Sequence, residues 1–131
     1  MHSMIRTFTA VAFSVAAFTS AHAASDAADR ANTEYKAAME RCESLKGNAQ
    51  DVCEKDAKVA RERAKAGDKA ARKGTPESRA DAGESTARAE YDAAKERCES
   101  LKGKEQSACE SSAKAAFDRR QAIADKMRKT N

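Results

Sequence analysis

The eight residues ERCESLKG occur twice in this chain, at positions 40–47 and again at positions 96–103. At the same offset of 56 residues, 21 of the 36 positions in 31–66 are identical in 87–122. All the cysteines of the chain lie in this repeat with Cys-x10-Cys spacing: Cys42, Cys53, Cys98 and Cys109. A duplication that keeps its cysteines predicts two copies of one structural module.

The start of the chain has the features of an export signal. Arg6 is followed by an apolar run that includes 11–18, and Ala21-His22-Ala23 matches an A-x-A cleavage site. The run is too short to cross about 30 Å of hydrocarbon, so we expect a cleaved leader rather than a membrane anchor. Cleavage after Ala23 would deliver a mature chain, without a membrane span, to the periplasm.

The expected compartment determines how the cysteines are interpreted. An even number of cysteines in an oxidising compartment predicts disulfides. Both histidines, His2 and His22, lie in the leader, so the mature chain contains none. This excludes mixed cysteine and histidine zinc sites and histidine-based catalysis. We therefore assign no catalytic, cofactor-binding or metal-binding residues and predict that the protein is not an enzyme.

Composition predicts helices with thin apolar seams. After the leader only six Leu, Ile, Val or Phe residues remain, whereas alanine and other helix formers are abundant. Such helices are marginal without a cross-link. Loss of Arg6 leaves 24 basic and 21 acidic residues, a formal net charge of +3 with interspersed signs. This pattern indicates solvated helix faces and no nucleic-acid partner.

The apolar spacing predicts the same helical stripe in both copies. In an expected helix over 24–46 the stripe is Tyr35, Ala38, Cys42 and Leu45, and its second copy is Tyr91, Ala94, Cys98 and Leu101. Gly47 and Gly103 each follow a lysine and are expected to end these helices. Asn48 is expected to cap the next helix.

Four segments follow from these patterns: a signal peptide at 1–23, a first helical repeat at 24–66, a linker at 67–86, and a second repeat at 87–131. Three of the five glycines and the only proline fall in the linker. Thr75-Pro76 is typical of a helix start, so a short helix could form inside the linker. The tail after Ile123 is expected to fray.

The cysteines can pair in more than one way. In the hairpin interpretation each repeat is an all-α hairpin closed by its own bridge, Cys42–Cys53 and Cys98–Cys109. In the alternative, two long antiparallel helices are cross-linked by Cys42–Cys109 and Cys53–Cys98, because 11 residues are close to three helical turns. The pairing Cys42–Cys98 with Cys53–Cys109 would require parallel repeats. The capping pattern favours the hairpins.

The repeated unit Tyr-x-Ala-Ala-x-x-x-Cys-x-x-Leu-x-Gly, followed by cysteine and Ala-Lys, resembles a group of small exported proteobacterial proteins. They are loosely labelled TolA-like for their Ala/Lys/Glu-rich helices. The resemblance covers 35–58 and 91–114. It implies a helical protein of the cell envelope and implies none of the specific activities of TolA.

These observations lead to two hypotheses of function. The first is a non-enzymatic periplasmic helical protein that binds an unknown envelope partner or itself, spaces components, or takes part in a stress response. The alternative is a cysteine-based redox switch or a metal-buffering protein that uses the four thiols in reduced form. The first needs disulfides and the second needs free thiols.

Overall fold

A computed structural model describes the backbone of residues 22–130 and the side chains of residues 27–130. This region contains no strand and is almost entirely helical: α1 His22–Cys42, α2 Asn48–Lys73, α3 Pro76–Cys98 and α4 Gly103–Lys129. The all-α prediction is confirmed. Nearly all of the predicted signal peptide lies outside the described residues, and its last two residues are the first two of α1.

The four helices form a single row. Each one packs only against its neighbours in sequence, α1 on α2, α2 on α3 and α3 on α4, and no other pair of described helices is in contact. Short connections make successive helices antiparallel. The α1–α2 and α3–α4 turns therefore lie at one end of the row, which we call the cystine end, and the α2–α3 turn lies at the other.

Each outer turn is closed by a disulfide within its own hairpin. The bonds are Cys42–Cys53 and Cys98–Cys109, and the Cα atoms are 5.6 Å apart in both. The hairpin prediction is confirmed, and the cross-linked pair of long helices is wrong. Two helices separated by a short turn bring residues equidistant from that turn together, which a continuous helix cannot do.

The helices next to the disulfide turns end earlier than the sequence indicates. α1 ends at Cys42 rather than Lys46, and α3 ends at Cys98. Leu45 consequently lies in the turn, 40% exposed, instead of extending the apolar stripe. Leu101 is in the equivalent position, 36% exposed. A disulfide at the last helical residue leaves the following residues free to turn back.

The glycines of these turns begin helices rather than end them. Gly47 precedes α2 with φ of 59°, a left-handed conformation that favours glycine, and its carbonyl accepts the N–H of Gln50 at 2.8 Å. Asn48 is the first residue of α2, and no side chain caps this helix. The expected cap at Asn48 is therefore wrong.

The segment predicted as a linker is mostly helical. Residues 67–73 complete α2, and residues 76–86 begin α3. The break is confined to Gly74, whose φ is 66°, and Thr75, whose hydroxyl accepts the Ser78 N–H at 3.1 Å. The expected cap at Thr75 is confirmed, but it begins a 23-residue helix. Packing of α2 on α3 outweighs the cost of about 1 kcal/mol for each helical glycine.

The core of the row is made of small side chains. Every buried hydrophobic residue in the described region is alanine or cysteine: Ala31, Cys42, Ala57, Ala70, Ala80, Ala87, Ala89, Ala93, Cys98 and Ala124. α4 remains helical to Lys129, so the expected fraying after Ile123 is not seen. Since alanine buries little area, the seams depend on close helix approach and on the disulfides.

Candidate functional site

The cystine end holds all four cysteines that the sequence singles out. None of them is free. The Cys42 and Cys98 side chains are fully buried, whereas Cys53 and Cys109 are partly exposed. The structure does not bring the four sulfur atoms together as one ligand set, because each hairpin uses its own pair. In this state the cysteines act as staples.

Polar contacts join the two hairpins beside the disulfides. The Asn48 side chain at the start of α2 donates to the backbone carbonyl of Glu96, near the end of α3, at 2.8 Å. Arg97 pairs with Asp56, and Lys55 lies 4.0 Å from the carboxylate of Glu96. Sequence reasoning missed these contacts because they cross between elements, and it assigned Asn48 only a local role.

An aromatic ring lies at the same position in each hairpin, but its partner differs. In the first, the Arg61 guanidinium lies 4.0 Å from the centre of the Tyr35 ring. In the second, Tyr91 and Phe117 are stacked with ring centres 5.2 Å apart. Arg61 and Phe117 are equivalent at the 56-residue offset. These contacts join the two helices of each hairpin, α1 to α2 and α3 to α4.

Glu90 connects three helices through its carboxylate. It lies on α3, and Arg63 of α2 and Arg120 of α4 approach it at 2.5 and 2.9 Å. Both arginines are well exposed, so water screens each pair and its net effect on stability is small. Together they link α3 to the helix on each side of it.

Arg128, near the end of α4, contacts three carboxylates. They belong to Asp81 at 2.9 Å, Glu84 at 2.7 Å and Asp125 at 3.2 Å. The hydrogen bond from Arg128 lowers the pKa of Glu84, with a further contribution from Arg88. The bonds to Asp81 and Glu84 raise the pKa of Arg128. The cluster therefore joins α3 to α4 through ion pairs, and it does not have the features of a general acid or base.

A shallow groove lies between α3 and α4, away from the cystine end. Its volume is about 230 Å³, and it is lined by Arg79, Ala80, Gly83, Arg120, Ile123, Ala124 and Met127. Ile123 is 55% exposed and Met127 is 39% exposed. Sequence analysis named Ile123 only as the point after which the tail was expected to fray. Five of its seven lining residues are uncharged and apolar, and we refer to it as the α3/α4 groove.

Outside the groove, the large hydrophobic side chains exposed on the described surface are Leu45 and Leu101, in the two disulfide turns. Residues 27–130 contain no group of three or more His, Cys, Asp or Glu side chains that could hold a metal ion. No helix in that part of the chain is long and apolar enough to cross a membrane.

No protein-family model matches this chain, and no curated protein or solved structure is similar enough to count as a match.

Proposed function

We propose that this chain is a non-enzymatic protein of the bacterial cell envelope, and that its row of stapled helices binds a partner or spaces components in the periplasm. The observation that carries the proposal is the pairing of all four cysteines in two disulfides, one in each hairpin. Disulfides of this kind persist in oxidising compartments such as the periplasm. The A-x-A site at 21–23 supplies the expected route of export.

The disulfides matter because the seams are weak. A core of alanine and cysteine contributes little hydrophobic stabilisation. Closing a loop of about 12 residues contributes roughly 3 kcal/mol in the chain-entropy model. The folded row would therefore depend on oxidation, which agrees with a protein that works after export.

The shape of the row supports a binding or spacing role. Helices of 21 to 27 residues extend about 30 to 40 Å at 1.5 Å per residue. A single layer of such helices has two broad faces and little interior. Binding surfaces of this kind are typical of helical arrays, and the resemblance to exported Ala/Lys/Glu-rich envelope proteins favours the same role.

A thiol switch or a metal buffer is the second candidate. One sulfur of each disulfide, in Cys53 and Cys109, belongs to a partly exposed residue and offers a reductant a point of attack. This candidate requires reduced cysteines under working conditions, so the redox state of the exported protein separates the two.

The test is to express the full chain in a Gram-negative host and isolate the protein from acid-quenched periplasm. We expect an amino terminus at Ala24 and four cysteines that react with an alkylating reagent only after reduction. The same chain without residues 2–23, retained in the cytoplasm, serves as the control and should show free thiols.

Free thiols in the quenched periplasmic protein would favour the switch, and an uncleaved leader would refute the proposed route. Chemical cross-linking in the envelope, with a variant in which all four cysteines are serine as control, would then identify the partner. If the variant with four serines still cross-links to the same partner, the disulfide-bonded fold is not needed for binding.

A further inference from the structure

The α3/α4 groove exposes side chains that the fold has no evident need to expose. Ile123 and Met127 are four residues apart and lie on one face of α4. Full burial of such a side chain is worth about 1.5–3 kcal/mol, and the chain has very few of them to use in its core. Their exposure at 55% and 39% therefore calls for an explanation outside this chain.

A glycine that the backbone does not require lines the groove. Gly83 lies inside α3 and has an ordinary helical φ. A Cβ atom built on it would meet no other atom within 4 Å. Alanine would fit there and would favour the helix by about 1 kcal/mol. The glycine is thus not explained by strain or crowding, and it leaves the groove without a side chain at this position.

The first hairpin shows what these positions look like without a groove. At the 56-residue offset, Gly83, Ile123 and Met127 correspond to Ala27, Gly67 and Ala71. The second copy thus has a smaller residue on α3 and two larger apolar residues on α4. The hairpin fold does not need these differences, because the first copy forms the same hairpin without them.

The charge at the rim indicates the kind of partner. Arg79 and Arg120 line the groove, and its other five lining residues are uncharged and apolar. Arg79 donates to the carbonyl of Gly74 at 3.0 Å, and Arg120 lies 2.9 Å from Glu90. A guanidinium has five N–H donors, so these contacts leave others for an anionic group. A second copy docked groove to groove would bring arginines together.

The length of the groove also restricts the partner. From Arg120 to Met127 the helix rises only about 10 Å, at 1.5 Å per residue. This length suits two apolar side chains one helical turn apart, about 6 Å, better than an extended acyl chain. Helices that dock in grooves use anchors at this spacing.

We propose that the α3/α4 groove docks an amphipathic helix of a partner protein, with two apolar side chains beside Ile123 and Met127 and acidic residues facing Arg79 and Arg120. This inference names the partner class for the binding role proposed above and rests on that role. Its test uses purified disulfide-bonded protein, so its failure would leave the proposals about export and oxidation untouched.

The probe is a fluorescently labelled helical peptide with a leucine pair at i and i+4 flanked by glutamates, titrated by anisotropy. The key variant is Gly83→Leu, which fills the groove while improving helix propensity. Its control is Gly67→Leu on α2, where a Cβ also meets nothing within 4 Å. We expect Gly83→Leu to weaken binding at least tenfold and Gly67→Leu to leave it unchanged, with neither variant lowering the Tm.

Two further arms test the chemistry. Ile123→Ser with Met127→Ser should weaken binding at least tenfold, and Arg79→Gln should weaken it severalfold and reduce its salt dependence. Equal binding of peptides with lysine for glutamate or alanine for leucine, or no binding of any peptide, would overturn the proposal. Preferential binding of laurate, or a dimer abolished by Gly83→Leu, would also overturn it and assign the groove to a lipid or to a second copy.

Discussion

The two hairpins share their staples but differ in how their seams are filled. Both place a disulfide between equivalent residues with the same Cα separation. The first hairpin then sets a guanidinium over Tyr35, whereas the second stacks Phe117 on Tyr91. The disulfide defines the turn, and the side chain two turns further along can change without changing the hairpin.

The second hairpin is also held by more contacts along its length. Arg120 reaches Glu90, and Arg128 reaches Asp81 and Glu84, so α4 is tied to α3 far from the disulfide. Between the described side chains of α1 and α2, the Arg61 guanidinium lies over the Tyr35 ring. We therefore expect the first hairpin to depend more on its disulfide.

Limited proteolysis would test the independence of the hairpins most directly. The described break between them is at Gly74 and Thr75, so trypsin is expected to separate the hairpins by cutting after Lys73. On a non-reducing denaturing gel we expect two separate fragments, each with one internal bridge. A chain that is cut after Lys73, with intact disulfide loops, and still stays in one piece until reductant is added would contradict the pairing in the structure.

Removing one disulfide at a time should produce the next largest effect. Each loss is expected to cost roughly 3 kcal/mol of unfolding free energy in the chain-entropy model. Cys42→Ser with Cys53→Ser should release α1 to hydrogen exchange, whereas Cys98→Ser with Cys109→Ser should leave more of α4 protected. Urea denaturation followed by circular dichroism, with exchange mass spectrometry, measures both. Equal protection of α1 and α4 would remove the asymmetry between the hairpins.

Double-mutant cycles would sharpen the comparison of the seams. Alanine at Tyr91 and Phe117 should reveal a coupling of about 0.5–1.5 kcal/mol from the stacked rings. Alanine at Tyr35 and Arg61 should give about 1 kcal/mol for the half-buried cation–π contact. Thermal unfolding at fixed pH provides the values. If the coupling energy between Tyr35 and Arg61 equals that between Tyr91 and Phe117, the presence of Arg instead of Phe in the first hairpin has no cost in stability.

The hydrogen bond that joins the two hairpins can be tested with the equivalent residue of the second copy as the control. Asn48→Ala removes the hydrogen bond to the Glu96 carbonyl and should cost about 0.5–1.5 kcal/mol of unfolding free energy. Lys104→Ala, at the equivalent residue of the second copy, should be nearly neutral because α4 has no further helix beside it. Urea denaturation measures both variants. Comparable losses of unfolding free energy would show that the hydrogen bond from Asn48 does not stabilise the contact between the hairpins.

The smallest expected effect is on the titration of Glu84. Arg128 holds its pKa below the ordinary value of 4.5, so the pair favours the folded state above that value and the effect is lost as the pH falls through the lowered pKa. Arg128→Gln should move the Glu84 midpoint upward, as followed by NMR of the side-chain carboxyl. Arg63→Gln, which contacts Glu90 instead, serves as control and should leave the Glu84 midpoint in place.

Several features could be predicted from sequence because they depend on local chemistry. The repeat and its helix-forming composition indicated an all-α chain, and the capping pattern at Gly47 and Asn48 favoured the hairpin pairing. Thr75-Pro76 indicated a helix start. Each of these signals lies within a few residues of the feature that it predicts.

Other predictions failed where packing overrides local preference. Gly67, Gly74, Pro76 and Gly83 suggested a linker, yet only the turn at Gly74 breaks the helices, because α2 and α3 are held together along their length. Asn48 has the preference of a cap, but its side chain contacts Glu96 of another helix. Leu45 fits the helical stripe, but the helix ends before it. These outcomes depend on contacts with residues far away in the sequence, which a local sequence pattern does not reveal.

By itself, the sequence determined the helical character, the duplication and the positions at which cross-links form, since composition and spacing control helix propensity and turn closure. Tertiary structure alone decided that the helices lie in one row, that Arg61 and Phe117 fill equivalent places differently, and that Ile123, Met127 and Gly83 border one groove. The physical reason is distance along the chain. Gly83 and Ile123 are 40 residues apart, and only the packing of α3 on α4 brings them together.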